Sequence, residues 1–273
     1  MRAWIAAHVE ITGSIEQPHI RPWATALRVP TRGGAVWFKA AREGFAHEGP
    51  VLEAIGPLAP DLLPEVLAAR SEAGWLLLAD AGLRAREHPI DWRPLLADYA
   101  ALQIAAAPLA GRLLDLGAPD NRPPALRERI ETLMPSLTAD TAAALEGRLP
   151  ELDEAFAALQ ASPLPATLEH GDLHDGNVFV RDGRARILDW GDSAVGHPFL
   201  SLTVEEDPSA RDGYLEPFTA FASRRELEAE VEIVLAHRLL LRALNWERVL
   251  RYDLSIAAEL ELRVAAFVSG REL

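Results

Sequence analysis

Strand-like and helix-like segments are not interleaved in this chain; they are sorted by position. Up to about residue 80 the sequence reads as strands. Val9 to Glu16 alternates loosely before Gln17-Pro18 interrupts it. Ala24 to Val29 is a second candidate, and Ala35 to Ala40 a third, after the turn signal Thr31-Arg32-Gly33-Gly34. A short helix is expected through His47, Glu48, Leu52 and Ile55, stopping at Gly56-Pro57. Val66 to Ala69 and Trp75 to Leu78 flank Ser71-Glu72-Ala73-Gly74 as a hairpin.

From about residue 90 the apolar spacing becomes helical. Leu95, Tyr99, Leu102 and Ala106 share one face, as do Leu126, Ile130 and Leu133, then Leu145, Leu149, Leu152, Phe156 and Leu159, and finally Leu227, Val231, Val234 and Leu235. These stripes are read as core. Trp246 and Tyr252, near the C-terminus, are read as core or interface and Ala118 to Pro124 as a loop. Sheet first and helices second predicts an α+β chain of two lobes. An N-terminal lobe is expected over residues 1–80 and a helical lobe over 81–273, joined at Ala79-Asp80-Ala81-Gly82. The helical part is interrupted once, at residues 168–192.

The 273 residues are 49% hydrophobic, enough for a sizeable core. The formal net charge of −14 disfavours nucleic acid and anionic membranes as partners; it either serves solubility alone or also attracts cationic ligands. With no cysteine, disulfides and thiolate metal sites are excluded. No apolar run reaches the roughly 18 residues of a membrane span, and MRAWIAAHVE has no signal-peptide core, so a cytoplasmic location is expected. Lys39 is the only lysine, every other cationic side chain being arginine. That pattern suggests a position needing a compact ammonium on a flexible stem.

The interruption reads His170-Gly171-Asp172-Leu173-His174-Asp175-Gly176-Asn177, then two short apolar runs about Asp182-Gly183, then Asp189-Trp190-Gly191-Asp192. Asp182-Gly183 is a hairpin signal. Asn177 and Asp189 each lie six residues from Gly183, so they are expected opposite each other in the ladder, or one residue out of step. Directly opposed residues sit about 4.5–5.5 Å apart at Cα, and both side chains are hard oxygen ligands that could share one magnesium ion with ATP phosphates. Asp172, in a loop rich in Gly and His, could take a proton from an attacking hydroxyl. His170 and His174 have the spacing of helical zinc ligands, but Gly171 and Gly176 argue against a helix. His170 is expected to be buried and to orient the loop. Asp175 and Asp192 are read as structural, as loop caps or supporting partners, with substrate contact the alternative for either.

This stretch resembles the catalytic and metal-binding loops of the aminoglycoside phosphotransferase family, relatives of the protein kinases. HGDLHDGN is similar to the family's HGD-x4-N loop and ILDWGD to its metal segment. The resemblance implies a protein-kinase-like fold, with a small antiparallel sheet lobe and a larger, mainly helical lobe. It implies Asp172 as the catalytic base and Asn177 and Asp189 as Mg²⁺ ligands. Val36-Trp37-Phe38-Lys39 resembles the third-strand lysine that holds the nucleotide phosphates. Glu48 is its implied ion-pair partner, with Glu53 as the competitor. Trp75 to Gly82 resembles the hinge strand, so Leu78, Ala79 and Ala81 would meet adenine through their backbone. The match runs from about residue 10 to 200. It departs from the family in two places. Only Gly13-Ser14 offers glycine near the first turn, and no further aspartate aligns after Asp192.

The expected function is ATP- and magnesium-dependent transfer of the γ-phosphate to a hydroxyl of a small polar, amine-bearing molecule, aminoglycoside-like. Choline, homoserine, an amino sugar or a glycated amine are alternative acceptors, and a silent nucleotide-binding protein is the alternative without catalysis. The acidic run Glu205-Glu206-Asp207 is a candidate contact for a cationic acceptor. Monomer and dimer are both open.

Overall fold

The computed structural model describes residues 1–201 and 207–271. Along the chain run α1 (Arg2–His8), β1 (Glu16–Ile20), β2 (Ala24–Thr31), β3 (Gly34–Ala41), α2 (Glu48–Ile55), β4 (Val66–Arg70), β5 (Trp75–Ala79) and β6 (Leu83–Arg84). Next come α3 (Trp92–Ala106), α4 (Ala110–Asp115), β7 (Asp120–Asn121), α5 (Pro123–Leu133), α6 (Ala139–Gln160) and β8 (Thr167–Glu169). Then follow β9 (Val178–Arg181), β10 (Arg184–Ile187), β11 (Ala194–Gly196), α7 (Pro208–Leu215), α8 (Arg224–Glu247) and α9 (Ile256–Ser269). This is the α+β class expected, an antiparallel sheet followed by a mainly helical remainder.

By packing, the chain divides into two compact units. One comprises Met1–Ile90, Asp115–Ala118 and His174–Asp192; the other comprises Asp91–Leu114, Pro119–Leu173 and Ser193–Leu273. A cut at residue 80 therefore differs from the packing division: the segment 174–192 belongs with the sheet. The cause is β-pairing, since β9 lies between β10 and β6 in a three-stranded sheet.

In the first unit five strands pair antiparallel in the order β1-β2-β3-β5-β4. The sequence reading put the first strand at Val9 to Glu16, ended by Gln17-Pro18. Instead Arg2–His8 is helical, and the strand is Glu16–Ile20 with Pro18 inside it. Pro18 is tolerated because β1 is an edge strand, where a missing N–H costs no ladder bond, and its pairing is irregular between Glu16 and His19. Helix α1 brings Ile5, fully buried, against Val29, Val36, Phe38 and Leu77. Trp4, Phe38 and Trp75 meet edge to face with centroids 5.7–5.8 Å apart, the arrangement their ring quadrupoles favour.

Gly82, between β5 and β6, has φ +92, and a Cβ there would lie 2.1 Å from the Val180 carbonyl oxygen of β9. Neither the backbone angle nor the gap admits a side chain. Gly82→Ala is expected to cost about 2 kcal/mol or more and to lower the melting temperature by roughly 5 °C or more. An unchanged thermal melt would show that β6 can leave β9 at no cost.

In the second unit the predicted stripes are core. Leu95, Tyr99, Leu102 and Ala106 of α3 are buried, as are Leu126, Ile130 and Leu133 of α5 and Leu145, Leu152, Phe156 and Leu159 of α6. Leu227, Val231 and Val234 of α8 are buried too, whereas Leu149 and Leu235 are only half-buried. Tyr99 stacks on Tyr214 of α7 at 6.0 Å, and the single Tyr214 O–H faces two acceptors, Gln103 Oε1 at 2.6 Å and the Pro198 carbonyl at 2.8 Å. Helix starts are capped by side chains: Asp91 for α3, Thr138 for α6, Asp207 for α7, and a full capping box of Ser223 and Glu226 for α8. The stretch read as a loop at Ala118 to Pro124 holds β7 and the first residues of α5. There β7 runs parallel to β11, which runs antiparallel to β8.

Candidate active site

In the first unit, alternation along β3 buries Val36 and Phe38 and sends Trp37 and Lys39 to the other face. Lys39 sits between Ala26 of β2 and Leu76 of β5 in the ladder. Its Nζ lies 2.6 Å from Glu48 Oε2 and also contacts Asp189 Oδ1. Glu48, not Glu53, is therefore the helix carboxylate paired with Lys39. Glu48 opens α2 and is 3% exposed. Its Oε1 accepts the Trp190 amide at 3.1 Å. Strand β3, helix α2 and the segment after β10, the last 150 residues further along the chain, thus meet at one ammonium.

Charge in this cluster is set by burial and pairing together. Burial by itself would lower the Lys39 pKa, but the Asp189 and Glu48 carboxylates outweigh it and hold the ammonium charged, above its ordinary value. Burial pushes the Glu48 carboxyl above the usual range, against the opposing pull of Lys39 and the Trp190 N–H. The cost of such a pair is recovered only where geometry is fixed on both sides, as it is here.

The Asp182-Gly183 turn forms as expected, with φ 53 and 74 at its two residues. Its ladder pairs Arg184 with Arg181 and Ile187 with Val178, and the Leu188 N–H donates to the Asn177 carbonyl at 2.8 Å. Asn177 therefore stands opposite Leu188, one residue out of step with Asp189. At Asp189 the chain leaves the strand through φ +64, a left-handed conformation costly for a non-glycine residue. That turn carries the carboxylate to Lys39. The Asp189 side chain is 54% exposed, and Asn177 is half-buried. Among the described residues no three His, Cys, Asp or Glu side chains form a metal cluster. One carboxylate and one amide oxygen are a poor cage alone, and a magnesium ion held by them would have to take its other ligands from phosphates and water.

The hinge candidates belong to this unit. Leu78 and Ala79 close β5 beside Trp37 and Val36 of β3, and Ala81 is buried. The Ala79 N–H donates to Glu65 O at 3.0 Å, and the Asp80 carbonyl accepts from Arg181 at 2.7 Å. The turn between β1 and β2 is Arg21-Pro22-Trp23, without glycine, closed by the Arg21 N–H on Ala24 O at 2.7 Å. Gly13-Ser14 precedes β1 and takes no part in it. His19 of β1 is held below the ordinary imidazole value by burial and by Arg21, with Lys39 and Arg84 adding to it.

Asp172 lies in the second unit, at the end of β8. His170 is fully buried, its N–H donates to the Tyr99 hydroxyl at 2.9 Å, and its Nδ1 accepts the Asp172 N–H at 3.2 Å. That is the orienting role expected of it. Gly171 has φ +77, and its carbonyl accepts from Arg242 Nη1 and Asn245 Nδ2 of α8, each at 3.0 Å. Arg242 Nη2 also contacts Asp172 Oδ1. Buried Glu169 accepts from Asn121 at 2.7 Å. His197 and Glu230 of α8 pair at 3.2 Å in the region where no aspartate aligned. Sequence reasoning missed Arg242 and Asn245, which lie 70 or more residues from the loop and carry no local motif.

The remaining candidates fall outside these clusters. In the first unit the His174 Nδ1 accepts the Gly176 N–H at 2.9 Å, and Asp175 pairs with Arg86 at 3.1 Å. Asp207 caps α7 through the Ser209 N–H at 2.9 Å, while Glu205 and Glu206 lie outside the described residues.

No curated protein sequence matches the chain. Solved structures share its fold. The macrolide 2′-phosphotransferase MphH from Brachybacterium faecium superposes with a TM-score of 0.62 at 19% identity, covering 99% of this chain and 97% of that one. A choline/ethanolamine kinase family protein from Mesorhizobium loti gives 0.64 at 18% identity, over 94% and 89% of the two chains. APH(2″)-IIa, in a ternary complex with streptomycin and ATP, gives 0.57 at 14% identity, over 89% and 88%. The sequence itself matches the model of the APH phosphotransferase enzyme family over residues 19–227, which takes in the Lys39 strand, the Asp172 loop and the Asp189 turn, and the chain belongs to that family.

Proposed function

We propose that this phosphotransferase moves the γ-phosphate of ATP to a hydroxyl of a small polar, amine-bearing molecule. The observation that carries the reading is the convergence of Lys39, Glu48 and Asp189 in one ion-pair cluster within the family's matched span. The packing unit that holds this cluster is the proposed nucleotide-holding part, with the backbone of Leu78, Ala79 and Ala81 toward adenine.

Lys39 would bind the nucleotide phosphates, and Glu48 fixes the direction of its ammonium. Entering phosphates compete with Asp189 for the same ammonium, which frees the Asp189 carboxylate. Asn177 and Asp189 would hold magnesium, which supplies neutralisation of phosphate charge. The Asp172 carboxylate accepts the acceptor hydroxyl's proton as that oxygen bonds to the γ-phosphorus. The bond from phosphorus to the β–γ bridging oxygen breaks, and ADP leaves. The amine preference is supported by the net charge of −14 and by the choline, ethanolamine and streptomycin named for structures of the same fold.

An ADP-release assay tests this with streptomycin, choline and ethanolamine as acceptors, against neutral alcohols, with and without magnesium. Release is expected to require magnesium. It is expected to favour the amines and to weaken with salt, since charges screen over about 10 Å at 0.1 M. A preference for neutral acceptors without salt dependence would remove the amine assignment. ATP binding that ignores magnesium would remove the metal-ligand assignment.

A further inference from the structure

The loop that carries Asp172 is held from a helix some 70 residues away, and that attachment has a form with consequences for the reaction. Arg242 of α8 spans two adjacent residues with one guanidinium: Nη1 donates to the Gly171 carbonyl at 3.0 Å, and Nη2 contacts Asp172 Oδ1. Asn245, three residues further along α8, adds a second donor to the same carbonyl at 3.0 Å. Gly171 meets them in a left-handed conformation, φ +77, that presents its carbonyl to this helix. The guanidinium lies over the Trp246 ring at 5.8 Å, a cation–π contact that adds to its attachment.

We propose that Arg242 is a positioning residue for the reaction: it fixes the Asp172 carboxylate and the peptide before it in the geometry for proton transfer. The inference rests on Asp172 being the base. The pair is partly shielded, with side-chain exposures of 21% and 20%, so water does not dissipate it as it does an exposed ion pair. A guanidinium held against Oδ1 would also limit rotation of the carboxylate about its Cβ–Cγ bond. A lysine in its place has the charge but no planar fork and can serve only one of the two acceptors at a time. General acid–base transfer depends on holding the base within hydrogen-bond reach of the proton it takes, so a freed carboxylate lowers turnover and leaves nucleotide affinity alone.

The test compares wild type, Arg242→Met, Arg242→Lys, Asp172→Asn and the double variant Asp172→Asn/Arg242→Met. Each is read as ADP release from Mg-ATP with water as acceptor, and again with ethanolamine. Arg242→Met is expected to lower kcat about 10- to 100-fold with an unchanged KM for ATP, and Arg242→Lys to recover part of the loss. Acting through Asp172, the substitution should add nothing in the Asp172→Asn background. Three results overturn the inference while the base assignment stands: wild-type kcat in Arg242→Met, a loss confined to the KM for ATP, or a full multiplicative loss in the double variant. An Asp172→Asn protein with wild-type kcat fails the base assignment itself. Should Arg242→Met not fold, Arg242→Lys decides alone. Reduced kcat at unchanged KM for ATP, with no further loss when combined with Asp172→Asn, supports the inference; wild-type kcat overturns it.

Discussion

Replacing Asp172 with asparagine is expected to lower kcat by about 10²-fold or more while ATP binding changes little. The substitution keeps the shape of the side chain and one carbonyl oxygen but removes the group that can accept a proton. Its surroundings should survive. The Asp172 N–H still donates to His170, His170 remains buried, and the Gly171 carbonyl keeps both of its α8 donors. What is lost structurally is the ionic part of one partly exposed pair with Arg242, worth about 1 kcal/mol in such a setting. Lys39, Glu48 and Asp189 belong to the other packing unit. Single-turnover rates and ATP titration together give the check. A variant that binds ATP normally and turns over slowly has lost a group acting in chemistry. A loss confined to ATP affinity would move Asp172 out of the base role.

Local features of the site were legible in the sequence because they are written in short-range physics. The strand signal over Ala35 to Ala40 placed Lys39 on β3, and Asp182-Gly183 specified its turn. Glu48 was the stronger of two candidates, and it is the one that reaches Lys39. The errors came from context that local pattern does not carry. Pro18 looked like a strand breaker because nothing local says that β1 is an edge strand. The one-residue offset between Asn177 and Asp189, by contrast, was one of the two registers expected, and it follows from a turn centred between Asp182 and Gly183. The positive φ at Asp189 then moves its side chain off the ladder altogether. Arg242 was illegible for a plainer reason. It is one arginine among many on a long charged helix, and only tertiary packing selects it.

The single lysine gives the other large expected effect. Lys39→Arg should lower kcat/KM for ATP by about 10²-fold or more while the protein stays folded. The ammonium occupies a gap between Glu48 Oε2, 2.6 Å away, and Asp189 Oδ1, with its side chain 18% exposed. A guanidinium is wider and planar, and Glu48 is held at its other oxygen by the Trp190 N–H, so it has little freedom to retreat. Arginine keeps the charge that buried Glu48 needs, so the melting temperature should fall by only a few degrees. Lys39→Met provides the contrast. It leaves the buried Glu48 carboxylate without its cation, at a cost of about 3–5 kcal/mol, and should lose stability and activity together. The two variants thus separate charge from shape. If Lys39→Arg turns over like the wild type, charge alone suffices at this position. The solitary lysine would then be an accident of an arginine-rich composition. If it folds like the wild type and fails to transfer phosphate, the compact ammonium is what the reaction requires there.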